Sequence, residues 1–465
     1  MVALKWGVIS VTSLSGIALG TYKLSNWAQP TDLIQQARGV LPPPQEKSVP
    51  LGSQISNLSS ELVTQDQAND SNLSPEEKER RRIKKEADSA FSKLDDYTFK
   101  LFSSCNVGTG WILDYVLPKE KGKYPLIWYI ATNAHVVNHW LFDNSNPYSQ
   151  KLPIAPNKSK HQSYYNWYSS KFPLHSSQSC YFKKTQGTFD LNLSKQPDGE
   201  ALKSDWGAVN YLKKMKQPKL FWVAVDLFDI DLNMGVLDKN FKDFAVMEIE
   251  FNDEDSAREI TRGFADKYTV ESTEAINIFG KPLDIHNLES NNQNFYSLGY
   301  PSKASSRFSY VKGWDEETLS GEKLSTDPRN RYPIISGNKL KGHVASDWYK
   351  NPEWAGENHH NFGHFYLLEG FPLGKGASGS MSIDGKGNLI GLKTKGEEGV
   401  QGNYSMITPI RSEKLIIEGN FRTPKYDLIL GAEKQKSSYR EQVEQHILEK
   451  GNKTWLSERG WKHVS

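Results

Sequence analysis

The chain has 465 residues, long for one simple domain, so a large two-part domain with appendages, or a pair of domains, is the starting expectation. Lys and Arg number 57 against 55 Asp and Glu, a formal charge of +2 that excludes bulk charge as a route to nucleic acid or to an acidic substrate. Two cysteines, Cys105 and Cys180, exclude a disulfide framework; they leave a single bridge open and lack metal-ligand spacing.

The run from Trp6 to Tyr22 is uncharged and flanked by Lys5 and Lys23. At about 17 residues it meets the lower limit for crossing a bilayer. Residues 1–25 therefore read as a signal peptide or membrane anchor, which puts the rest of the chain on the extracellular face of a cell membrane, or secretes it if the segment is cleaved. Residues 26–74 are rich in Gln, Ser, Asn and Pro, lose hydrophobic periodicity and read as a disordered tether. Ser74-Pro75-Glu76-Glu77 then supplies an N-cap, a first-turn proline and a third-position glutamate, predicting a charged helix over 75–96. Its basic run Arg80-Arg81-Arg82 reads as a solvated face.

From Tyr97 the pattern changes to short apolar or alternating runs, at 111–115, 126–131, 219–225, 244–249, 295–300, 365–369, 381–384, 389–394 and 404–408. Aromatics at 12%, with 35 Gly and 22 Pro between the runs, suit a mainly β domain over 97–412, a barrel or sandwich. The stretch 138–218 lacks periodicity and reads as a large insertion, with Tyr164, Tyr165, Trp167 and Tyr168 read as packing it rather than as aromatic anchors for a protein partner. Residues 413–465 form a C-terminal extension, helical over about 434–450.

Three residues carry candidate chemistry, each beside a predicted core strand. His135 lies in Ala131-Thr132-Asn133-Ala134-His135-Val136, where a histidine leaving a buried strand is held firmly and still faces a cleft, as a general base must. Asp243 precedes the run 244–249, where it could fix the histidine tautomer; Asp226, Asp229 and Asp231 are nearby rivals. Ser378 lies in Gly376-Ala377-Ser378-Gly379, whose glycines let the backbone approach a carbonyl, so that the N–H groups of Gly376 and Ser378 form an oxyanion hole. The chain order His, Asp, Ser is that of the chymotrypsin arrangement. His359, His360 and His364 fall in a loop with no helix to align them, and no metal site is read there.

Gly108-Thr109-Gly110-Trp111-Ile112-Leu113-Asp114-Tyr115, the segment around His135, Gly376 to Ser380 and Tyr426-Asp427-Leu428-Ile429 together resemble the mycoplasma immunoglobulin-protease family, formerly a domain of unknown function. The resemblance spans Tyr97 to Tyr439. It implies a chymotrypsin-like double β-barrel with an N-terminal helix, long insertions and a C-terminal helical tail. It also implies a serine endopeptidase on the cell surface, needing no cofactor or metal, with His135, Asp243 and Ser378 as the triad. The partners it implies are a protein substrate, in some relatives host immunoglobulin presented by a capture protein, and the membrane through the N-terminal segment, but no nucleic acid. Ala377 stands where digestive enzymes carry the aspartate that pairs with a new N-terminus, and Pro372 stands where a trypsin-like specificity aspartate would be. Activation by N-terminal insertion and a Lys or Arg preference are thus not expected. The alternative is a catalytically idle surface adhesion protein on the same fold.

Overall fold

The computed structural model describes residues 73–102, 107–138, 140, 142–153, 188–190, 214–284, 294–299, 340–345, 352–369, 376–397, 404–417 and 421–464. The N-terminal apolar run, the tether, the aromatic cluster at 164–168, Pro372 and both cysteines lie outside them. Ser74 opens helix α1 (Pro75–Tyr97). Its hydroxyl accepts from the Glu77 N–H at 3.2 Å, and its own N–H donates to the Glu77 carboxylate at 2.9 Å, closing the reciprocal cap. Arg82 is used along the helix, donating to Glu79 at 2.7 Å and to Glu86 at 3.0 Å. Ala87, Ala90, Phe91 and Leu94 recur at helical spacing and are buried. Glu86, on the edge of that stripe, accepts from the Tyr296 hydroxyl at 2.7 Å and from Asn294 at 3.1 Å. Among the described residues no helix is long and apolar enough to cross a membrane.

Helix α1 runs directly into β1 (Thr98–Phe102), followed by β2 (Val107–Tyr115), β3 (Ile127–Thr132), β4 (Thr188–Asp190), β5 (Lys219–Val225) and β6 (Asn240–Glu250). With a two-residue strand β11 (His360–Asn361) these make a seven-stranded sheet, ordered β11-β6-β3-β2-β1-β4, with β5 also paired to β6. All pairings are antiparallel except β11 with β6. The second sheet has six antiparallel strands, β7 (Phe295–Ser297), β8 (Leu340–Ala345), β12 (His364–Glu369), β13 (Met381–Asp384), β14 (Leu389–Glu397) and β15 (Tyr404–Pro409), ordered β7-β13-β14-β15-β12-β8. Among the described residues there are also short pairs, β9 (Glu353–Trp354) with β10 (Glu357–Asn358), β16 (Arg411–Ser412) with β19 (Tyr426–Asp427), and β17 (Leu415–Ile417) with β18 (Phe421–Thr423). The chain is mainly β, as its composition and periodicity imply. Neither sheet's hydrogen-bonded order closes on itself among the described residues.

Strand β6 starts four residues before its apolar run because its polar residues are satisfied inside the protein. Asn240, for instance, accepts from the Phe228 N–H at 3.0 Å and donates to the Phe228 carbonyl at 2.9 Å. The core is dominated by aromatics, with Trp111, Trp128, Trp140, Trp222, Trp354 and Trp455 fully buried.

The C-terminal segment packs on the first sheet. Helices α2 (Ala134–Val137), α3 (Glu254–Thr261) and α4 (Phe264–Lys267) precede it, and it contains α5 (Tyr439–Val443), a π-helical turn over Glu444–Leu448 and α6 (Trp455–Glu458). Its anchor is Asp114 on β2, fully buried. That carboxyl accepts from the N–H groups of Tyr115 and Leu456, each at 2.9 Å, and from the Tyr439 hydroxyl at 3.0 Å. Val116 forms an isolated bridge with Thr454. Burial pushes the Asp114 carboxyl up to about 7, against the hydrogen bonds that favour its charged form. The folded state therefore holds this proton more tightly than the unfolded chain does. The stability so gained is complete below the ordinary carboxylate range and is lost as pH rises towards 7. Asp114→Asn can keep the acceptor for both N–H groups and donate to Tyr439. Subtracting its denaturant-derived stability curve from that of the wild type should leave a term falling by roughly 2–4 kcal/mol between about pH 4 and pH 7. A flat difference would show that Asp114 does not titrate in the fold.

Candidate active site

The end of β3 determines where His135 stands. Thr132 pairs with Ala245, so extending that antiparallel register by two residues brings Asp243 beside the first turn of α2. The Asp243 carboxylate takes His135 with both oxygens: Oδ1 accepts from the backbone N–H at 3.0 Å and Oδ2 from ring Nδ1 at 2.6 Å. A carboxylate only accepts, so the proton of the ring bond belongs to Nδ1 and Nε2 is the basic nitrogen. The Asp243 side chain is wholly buried while 31% of the His135 side chain is exposed. A buried acid behind a half-open histidine is the arrangement in which an imidazolium can be stabilised without losing access to solvent. The rival aspartates lie on the segment before β6, where Asp229 instead pairs with Lys436 at 2.5 Å.

Ser378 comes from the other sheet, in the turn that leads into β13. Gly376 has φ +94° and Gly379 φ +88°, both in the left-handed region. At 379 any Cβ would come within 2.0 Å of the Thr109 carbonyl oxygen and 2.3 Å of Thr132 Oγ1, so only glycine permits this approach. The Ser378 carbonyl accepts from the Thr109 N–H at 2.7 Å, and the Ser378 hydroxyl donates to the Thr394 carbonyl at a long 3.3 Å. Ala377 is fully buried in an apolar cluster with Phe295, Tyr366, Leu368, Ile390 and Ile407.

Sequence reasoning singled out neither Asn133 nor Thr394, and they join the two halves. Asn133, buried, donates through Nδ2 to the Asp243 carbonyl at 2.7 Å and to Thr394 Oγ1 at 3.2 Å. Thr394 is hydrogen-bonded in turn to Thr408 and, through its carbonyl, to Ser378. Thr132 Oγ1 donates to the Thr109 carbonyl at 2.7 Å. Every candidate catalytic residue is thus connected to the others through bonded protein groups. The available signal was two polar residues, Thr132 and Asn133, directly after an apolar strand and before the histidine.

The three histidines that invite a metal reading are separated. His359 is buried with Nδ1 3.0 Å from the Glu357 carbonyl, His360 lies 3.8 Å from Asp238, and His364 packs on the Tyr366 ring. Burial holds the His359 imidazole below its usual pKa. Among the described residues no three ligand-type side chains converge.

A family model described as mycoplasma immunoglobulin protease matches residues 78–393, more than half of the chain and all three candidate residues. The chain belongs to that family. Its similarity to solved structures is distant. A structure of the mycoplasma MIB and MIP proteins matches at 16% identity and TM-score 0.45, covering 75% of this chain and 59% of that one. This chain therefore spans less than two thirds of that relative. An inactive mutant form of Rv3671c from M. tuberculosis matches at 10% identity and TM-score 0.28, covering 68% and 84% of the two chains. Deg5 matches at 13% identity and TM-score 0.27, covering 72% and 91%. No curated protein matches.

Removing the Asn133 carboxamide leaves a buried carbonyl and a buried hydroxyl each short of a partner. Asn133→Ala should lower stability by about 1–3 kcal/mol, read from the urea midpoint at unchanged slope. Gly379→Ala, which combines a steric clash with a left-handed backbone, should lower it more. Equal midpoints for wild type and Asn133→Ala would show that the bridge contributes nothing to holding the sheets together.

Proposed function

We propose that this family member is a serine endopeptidase that cleaves protein chains through an acyl-enzyme on Ser378. The observation that carries the reading is the two-point grip of Asp243 on His135, tied through Asn133 and Thr394 to the serine. In the reaction the Ser378 hydroxyl leaves its long bond to Thr394 and turns to His135, whose Nε2 takes the proton as Oγ attacks the scissile carbonyl. Asp243 keeps the ring in the Nδ1–H tautomer and stabilises the imidazolium, which then gives its proton to the leaving amine. The N–H groups of Gly376 and Ser378 receive the developing oxyanion, a role for which the left-handed turn at Gly376 supplies the backbone geometry. Water repeats the sequence to release the acyl group. No step needs a metal or an organic cofactor.

The family's name supports immunoglobulin as the substrate, and we propose that a capture protein presents it. A double-barrel closure of the two sheets, a cleft between them and display on the cell surface through residues 1–25, with 26–74 as the tether, complete the proposal.

Ser378→Ala should abolish fluorophosphonate labelling and immunoglobulin cleavage, with an unchanged circular dichroism spectrum. His135→Ala should lower labelling on the order of 10⁴-fold or more. Fragment mapping by mass spectrometry, with and without a capture protein, identifies the cut bond. Cleavage that survives in the Ser378→Ala chain would rule the mechanism out.

A further inference from the structure

Lys242 immediately precedes Asp243, and the reaction described above makes no use of it. Successive side chains on a strand face opposite ways, so its side chain leaves the catalytic face of β6 for the far side. There it is fully buried. Its Nζ donates to the Phe362 carbonyl at 2.6 Å and to the His364 carbonyl at 3.2 Å. It sits among three aromatic rings, 4.9 Å from the centre of Phe365 and 5.3 Å from those of Phe362 and Tyr426. The two carbonyls flank Gly363, whose φ of +74° turns the chain from β11, on the edge of the first sheet, into β12, an inner strand of the second. A Cβ at 363 would come within 3.2 Å of Nζ and 2.9 Å of Thr423 Oγ1.

Enclosing an ammonium group is unfavourable even with good hydrogen bonds. Burial accordingly draws the Lys242 amine down to about 7, while the negative charge of neighbouring Asp243 acts the other way. Stability alone gives little reason for a lysine here, since an apolar side chain of the same length would fill the aromatic enclosure without that penalty, which offsets the two hydrogen bonds it would give up. What the lysine adds is direction: two hydrogen bonds that tie β6, one residue from the catalytic acid, to the crossover between the sheets.

We propose that Lys242 is a positioning residue for catalysis, pinning β6 to the β11–β12 turn and so fixing Asp243 and His135 relative to the sheet that carries Ser378. The inference rests on the serine-peptidase reading above. A lysine serving only the fold would lower stability and rate together when replaced, whereas a pin would lower the rate alone.

Lys242→Met keeps the length and apolar stem and removes the ammonium group. In the full chain its melting temperature should equal or exceed that of the wild type. Its maximal rate of fluorophosphonate labelling should fall at least tenfold at an unchanged half-saturating concentration. The low-field proton resonance of the His135–Asp243 bond should shift or broaden. A labelling rate and resonance equal to those of the wild type would overturn the assignment, as would a rate loss accompanied by a lowered melting temperature. Gly363→Ala, whose Cβ would press on Nζ at 3.2 Å and on Thr423 Oγ1 at 2.9 Å, gives an independent reading if Lys242→Met does not fold, taken per folded molecule because alanine in the left-handed backbone at 363 costs stability. Its labelling rate should drop at least threefold, and an unchanged rate would again overturn the proposal. A wild-type chain that takes no label counts against the peptidase reading, whereas a labelled wild type with an equally labelled variant counts against Lys242 alone.

Discussion

The carboxamide of Asn133 touches both sheets, one proton going to the carbonyl of Asp243 on β6 and the other to the hydroxyl of Thr394 on β14. Each acceptor is itself one bond from a residue of the proposed triad, since Asp243 holds His135 and the Thr394 carbonyl receives the Ser378 hydroxyl. The proposed mechanism needs a rigid connection where the two sheets meet, because an error of an ångström between its base and its nucleophile slows proton transfer steeply. The Nδ2 group in that position supplies directional bonds that apolar packing cannot, while Oδ1 of the same amide is buried without a partner among the described residues. The close approach of Gly379 to Thr109 and Thr132 adds a second fixed point on the same line.

Around this polar seam the walls are aromatic. Trp111 stands on β2 and Trp128 on β3, and both are sealed from solvent. Tyr439 from the C-terminal segment meets Tyr129 and Phe221 edge-on, at 5.9 and 5.6 Å between ring centres. Large rings fill the volume with few rotatable bonds, so the strands that deliver His135 and Asp243 are stiff where they need to be. Asn240 and Glu248, polar residues inside this packing, are satisfied by partners on adjoining strands and loops.

Features set by neighbouring residues were legible in the sequence. The Ser74–Glu77 cap, the strands Lys219–Val225 and Met381–Asp384, and the order of His135, Asp243 and Ser378 needed only local pattern and chain direction. The sheet pairings were less so, and the bridge was not legible at all. Asn133 and Thr394 stand 261 positions apart, so no window along the chain contains both, and an asparagine after a strand is by itself an ordinary cap. Lys242 was hidden for a related reason: a lysine in the middle of a polar stretch suggests an exposed strand end, until the turn at Gly363 folds over it. The docking site of the last helices was equally unreadable, because its acceptor is one aspartate inside an apolar strand.

That aspartate has a consequence for the order in which the fold can close. Asp114 and Leu456 are separated by 342 residues, so β2 is synthesised long before the backbone N–H that completes its surroundings exists. Contacts of such long sequence range are slow to close. The sheet that carries His135 and Asp243 is therefore not sealed around Asp114 until residue 456 has been made, so β2 waits for a partner more than three hundred residues downstream.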